Sequence, residues 1–227
     1  MDGCRRSKRF LAISTCLALM LVISGGCTQL LFTVAYLGGW GDDDAECNVL
    51  KGKTVVVVCR PTSTLQFSDP RVAREIARKV AKLLEENVSK IKLVDQRKVD
   101  RWTDEHKWAE FDDVGKALEA EVVVGIDLLQ FDLFEAQTLL HGKASVSLRV
   151  VSLFKEVDKK KVPDVDVAFE KDFPRITYPP YSSISTADRD PSQFRKEFID
   201  VIANQLARVS YSHDPNDDVG QDAEALK

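Results

Sequence analysis

Four consecutive valines, Val55, Val56, Val57 and Val58, constrain the fold of this chain more than any other stretch. β-Branched side chains lose rotamer freedom in a helix and fit the pleated surface of a sheet, so residues 53–59 predict a strand. Successive side chains of a strand point to opposite faces. An unbroken apolar run therefore demands cover on both faces, the situation of a strand inside an α/β sheet. After a loop over residues 61–67, Ser68, Asp69 and Pro70 mark a helix start, a capping side chain followed by proline in the first turn. Val72, Ile76, Val80, Leu83, Leu84 and Val88 recur at helical spacing, with Arg71, Arg74, Arg78, Lys82 and Glu85 largely elsewhere. Ile91, Leu93 and Val94 give a second short strand, so residues 53–94 predict a βαβ unit.

Further along, residues 96–108 tolerate a helix and carry Val99, Trp102 and Trp108, and residues 112–120 predict another short helix. Residues 121–131 start fully apolar at Val122, Val123 and Val124, then alternate through Ile126, Leu128 and Phe131. A loop over 135–142 leads to residues 144–154, where Val146, Leu148 and Val150 share one face and Ser145, Ser147 and Arg149 the other. Two such runs around a short polar connection predict an antiparallel hairpin. A charged turn over 155–161, a strand over 165–173 and a long proline- and serine-rich loop over 174–191 follow. Phe194, Phe198, Val201, Ile202, Leu206 and Val209 then predict an amphipathic helix over 192–210. The expected fold is α/β (α+β): a mixed sheet with an N-terminal βαβ unit, an antiparallel hairpin and a closing C-terminal helix. It forms one domain over residues 51–211, followed by an acidic disordered tail over 212–227.

The N-terminus is of a different kind. Arg5, Arg6, Lys8 and Arg9 precede an apolar run over 10–23 and then Ser24, Gly25, Gly26 and Cys27. A basic head, a short apolar middle and a small-residue exit form the layout of a secretory signal peptide over residues 1–26. The run is shorter than the roughly 20 residues that cross a bilayer. The cysteine behind two glycines resembles the lipobox of bacterial envelope lipoproteins, although the place three residues before it, usually Leu, Val or Ile in that family, is Ser24. The resemblance implies cleavage after Gly26 and acylation of Cys27, palmitate included, with the chain held on membrane lipid and facing the periplasm or the cell exterior. Each buried methylene of such a chain contributes about 0.8 kcal/mol, so several chains hold firmly where one holds marginally. The alternative is a single uncleaved signal anchor over 10–37, interrupted by Gly25, Gly26, Thr28 and Gln29. In both cases the basic head stays inside. Residues 27–50 are expected to be the lipidated apolar segment and a flexible tether.

Charge and residue inventory exclude several functions. The whole chain is at −4, and removing the basic head leaves the remainder more acidic. No concentrated basic face is left for a nucleic-acid partner. Cys4 and Cys16 leave with the signal, and Cys27 is the lipid site, which leaves Cys47 and Cys59. A bridge needs their Cα atoms within about 7 Å, whereas the strand puts Cys59 roughly 17 Å from its own start, so Cys59 is expected to be a small buried hydrophobe. His106, His141 and His213 lack metal-ligand spacing and read as surface residues. No Gly-x-Ser-x-Gly is present, and residues 60–67 hold no glycine to cradle a phosphate. No catalytic, cofactor or metal residue is expected, and the chain is not read as an enzyme. The alternative is a small extracytoplasmic hydrolase or ligand-binding protein whose site is assembled from loops. The candidate partner contact is Tyr178, Pro179, Pro180 and Tyr181, two exposed aromatics on proline-stiffened backbone. Trp102, Trp108 and Phe111 are a second candidate, with core packing as the competing reading.

The order strand, long helix, strand, short helices, strand, hairpin, final helix resembles the α/β domain of several envelope proteins. These are the N-terminal domain of TolB, the curli-secretion lipoprotein and the lipoproteins that activate penicillin-binding proteins. Val55 to Val58, the helix over 69–88, the sequence Lys92, Leu93, Val94, Asp95 and residues 118–125 carry it, as pattern and not as identity. The resemblance implies a non-enzymatic role in envelope assembly with an unidentified protein partner. Several members form rings, so it also implies a homo-oligomer.

Overall fold

The valine run lies in strand β1 (Thr54–Pro61), the inner strand of the sheet's parallel half. The structure is a computed structural model that describes residues 43–157 and 160–214. The signal segment over 1–26, the lipid site Cys27, the stretch up to Asp42 and the tail from residue 215 lie outside the described residues. On one side β1 pairs in parallel with β2 (Lys92–Leu93), through Thr54 and Val55. On the other it pairs in parallel with β3 (Val122–Ala136) along residues 55–61. β3 pairs antiparallel with β4 (Leu139–Val157) and β4 with β5 (Lys160–Tyr178), giving the order β2-β1-β3-β4-β5. A short β6 (Ile184–Ser185) adds to Leu139 and Leu140. Helices α1 (Ser63–Ser68) and α2 (Val72–Asn87) link β1 to β2, α3 (Gln96–Glu105) and α4 (Phe111–Ala117) link β2 to β3, and α5 (Pro191–Arg208) closes the chain.

Double cover of β1 follows from this path. Val55 and Val57 join a large core with Ile76, Val80 and Leu84 of α2 and Phe198 and Ile202 of α5. Val56 and Val58 join a second core with Val99 of α3, Phe111 and Val114 of α4, and Val123, Val151 and Leu153 of the sheet. All four valines are buried, and each contributes about 1.5–3 kcal/mol by leaving water. Along β4 the even positions Leu140, Ala144, Val146, Leu148 and Val150 all face the large core. The odd positions are polar at Ser145, Ser147 and Arg149 and turn apolar at Val151 and Leu153, the two that enter the second core with α4.

Several expected boundaries move. The loop over 61–67 contains α1, and α2 starts at Val72 with Arg71 at its N-cap. The carboxylate of Asp69, expected to cap that helix, accepts from the Arg71 N–H at 3.4 Å and from Arg195 of α5 at 2.8 and 3.0 Å, and Arg195 also donates to Glu75. The loop over 135–142 shrinks to Gln137 and Thr138, and the loop over 174–191 yields the end of β5 and all of β6. The folded body also begins before Lys51. The Cys47 N–H donates to the Val209 carbonyl at 2.8 Å, Leu50 is fully buried, and the chain turns into β1 at Gly52 with φ +74°. Cys47 and Cys59 are both free.

Sheet and helix also approach closely at Gly125 of β3, where an added Cβ would lie 2.5 Å from the ring of Phe111. The ring is held in the second core and has little room to yield. Gly125→Ala is expected to lower unfolding stability by about 1–3 kcal/mol through this overpacking, read as a drop in the urea midpoint at unchanged slope.

Candidate functional site

Alternation along β5 decides the fate of the tyrosine and proline stretch. Ile176 and Tyr178 are the last inward residues of that strand, and Tyr178 is only 7% exposed. Its ring packs on Phe194 of α5 at 5.4 Å, and its hydroxyl donates to Glu197 at 3.2 Å. Pro179 is buried, Pro180 half-buried, and Tyr181 96% exposed. The expectation of two exposed rings is thus corrected: β5 runs on past Pro174 and takes Tyr178 into the core, leaving Tyr181 alone on the surface.

The loop carrying Tyr181 is tied to the β3–β4 reversal. Ser183 Oγ donates to Glu135 Oε2 at 2.5 Å, and Lys143 Nζ lies 3.2 Å from Oε1 of the same carboxylate. These hydrogen bonds, that from Ser183 first and that from Lys143 second, hold the Glu135 carboxyl down to about 2. His141 Nδ1 stands 3.5 Å from Glu135. Both ring nitrogens of His141 are buried without a hydrogen-bond partner, so it is not the plain surface histidine expected. Phe134 and Leu139, flanking the same reversal, are exposed.

A second feature lies at the C-terminal end of β1, where ligands sit in open α/β sheets. A cavity of about 130 Å³ opens there between α2 and α3. Arg74 pairs with Asp104 and Arg78 with Asp100 across its mouth, which occupies both carboxylates. Cys59 borders it, and burial, with the nearby charge of Asp127 adding to it, pushes its thiol well above the ordinary range. Such a thiol is a poor nucleophile. Arg60 alongside pairs with Asp127 at 2.6 Å and lies over the rings of Phe111 at 4.8 Å and Trp108 at 5.7 Å. Phe111 is buried, and Trp102 and Trp108 pack half-buried on the second core, which answers the competing reading of that aromatic trio. Among the described residues no group of three His, Cys, Asp or Glu side chains is placed to hold a metal ion. None of their helices is long and apolar enough to cross a membrane. The cavity had no signal in the sequence beyond the shortness of the apolar run at Ile91, Leu93 and Val94.

No family model and no curated protein matches this chain. Among solved structures it is similar to the PelC dodecamer from Paraburkholderia phytofirmans, at 9% identity over 75% of this chain and 95% of that one, with a TM-score of 0.42. It is similar to the lipoprotein GNA1162 from Neisseria meningitidis at 10% identity, over 68% and 98% of the two chains, with a TM-score of 0.38. The hypothetical protein CT253 from Chlamydia trachomatis matches at 19% identity over 70% and 92%, with a TM-score of 0.33.

Because the folded-state pKa of Glu135 lies below its ordinary value, the stabilisation from this cluster is present above about pH 4.5 and is lost as pH falls through about 2. Ser183→Ala removes the largest cause. Carboxyl ¹³C titration is expected to show Glu135 moving up toward the ordinary range in that variant while its titration in the parent stays near 2.

Proposed function

We propose that this chain is a lipid-anchored envelope lipoprotein, exported and cut after Gly26, that acts by binding other envelope components and carries out no catalysis of its own. The observation that carries this reading is the N-terminal stretch: a basic head, an apolar run too short to span a bilayer, and Cys27 behind two glycines. Acylation at Cys27 holds the domain at the membrane surface, facing the periplasm or the cell exterior. The partner contact is centred on Tyr181, whose ring is almost fully exposed on a loop pinned by Ser183 and Glu135. A pinned loop loses little entropy on docking, and tyrosine is favoured at interfaces. Phe134 and Leu139 lie on the reversal to which this loop is tied and supply apolar area beside it. A second copy of the chain is one occupant of that surface.

Cys27→Ser is expected to abolish incorporation of a labelled palmitate analogue and to move the protein from the membrane to the soluble fraction. Retention in the membrane with residues 1–26 still attached would instead support the uncleaved anchor. Tyr181→Ala is expected to leave the thermal midpoint unchanged and to reduce crosslinking to partners in cells, with bands identified by mass spectrometry. An unchanged crosslinking pattern would remove Tyr181 from the contact.

A further inference from the structure

At Leu93 the neighbour of β1 stops, and β1 does not. β2 pairs with Thr54 and Val55 only, while β1 runs on to Pro61. The Val94 N–H still reaches the Val55 carbonyl at 3.0 Å. The next acceptor on that edge, the Val57 carbonyl, is met at 3.2 Å by the side-chain amide of Gln96, which stands in for a strand residue that is not there. Main-chain groups of neighbouring residues alternate between the two edges of a strand. The Thr54 carbonyl accepts from Glu121 on the β3 side, so the N–H and C=O of Cys59 share the β2-side edge with those of Val55 and Val57. That is where the cavity opens, lined by Cys59, Pro61, Gln66, Gln96, Thr103 and Trp108.

We infer that this is a strand-addition site, at which an extended peptide segment of a partner protein lies along β1 from Val57 to Pro61. The edge offers the Cys59 N–H as donor and the Cys59 carbonyl as acceptor, with the Val57 carbonyl added once the Gln96 amide is displaced, and a peptide main chain is the group that complements this pattern. Specificity comes from the side chains: one residue of the segment enters the cavity against Trp108, and the next meets Phe67, which is 89% exposed beside Gln66 at the rim. The roof over the edge consists of the Arg74–Asp104 and Arg78–Asp100 pairs. Solvent-screened ion pairs part more readily than a packed apolar seam, so the segment enters by parting these two pairs. The site is separate from the Tyr181 surface and does not depend on acylation of Cys27.

The test is an NMR titration of the full chain, ¹⁵N-labelled, with two probes: N-acetyl-Val-Ala-Val-amide and the same peptide methylated on its backbone nitrogens. Saturable shifts at the Cys59 amide, the Gln96 side-chain amide and the Trp108 indole are expected with the first probe. The second is expected to bind at least about tenfold more weakly, because methylation removes the donors that the edge acceptors need. Equal binding of the two probes would overturn strand addition, as would an unshifted Cys59 amide or shifts confined to the other open edge at β5.

Discussion

Everything in this structure depends on the removal of both faces of β1 from water. Val55 and Val57 cannot be buried by the element that buries Val56 and Val58, because side chains alternate across the sheet. The chain meets this by sending its connections to opposite faces, α2 on one and α3 with α4 on the other. The N-terminal half is therefore wound around a single strand. The rest of the sheet is a meander covered by α5 on one face; its other face meets α4 at Val151 and Leu153 and is left elsewhere to Ser145, Ser147 and Arg149 with their polar neighbours.

The same winding produces the surfaces that can act. β2 has room for only two residues before Asp95, whose side chain accepts from the Arg97 N–H, turns the chain into α3. A short β2 leaves the C-terminal part of β1 with an open edge, and the cavity between α2 and α3 is the consequence. At the same end of the sheet, the hydrogen bonds on Glu135 fix the loop that displays Tyr181. Packed elements thus hold both candidate binding surfaces.

Much of the architecture was legible because periodicity and β-branching carry it. The valine run, the α2 stripe from Val72 to Leu84 and the alternation from Ala144 to Val150 all sit where their spacing puts them. Where the reading failed, a tertiary partner outweighed a local signal. Asp69 looks like the cap of the helix, yet that helix starts past Arg71, and the Asp69 carboxylate holds Arg195, far off in sequence, besides the Arg71 N–H. Pro174 looks like the start of a loop, yet it falls in a register shift of the β4–β5 pairing between Phe173 and Ile176, where a strand accepts proline, so β5 continues and Tyr178 goes inside. His141 reads as a surface histidine because nothing nearby in sequence announces that β4 buries its ring nitrogens. The cavity was invisible for a further reason: it arises from where β2 ends relative to β1, a register that no single stretch encodes.

Native-state hydrogen exchange measures the central constraint most directly. If double cover of β1 organises the fold, the amides of Val56 and Val58, which face β3, exchange only through global unfolding and are among the slowest in the domain, slower than those of β5 beyond Phe169. Exchange of the valine amides by local opening, with the β4–β5 pair outlasting them, would contradict the account and place the stable nucleus in the meander.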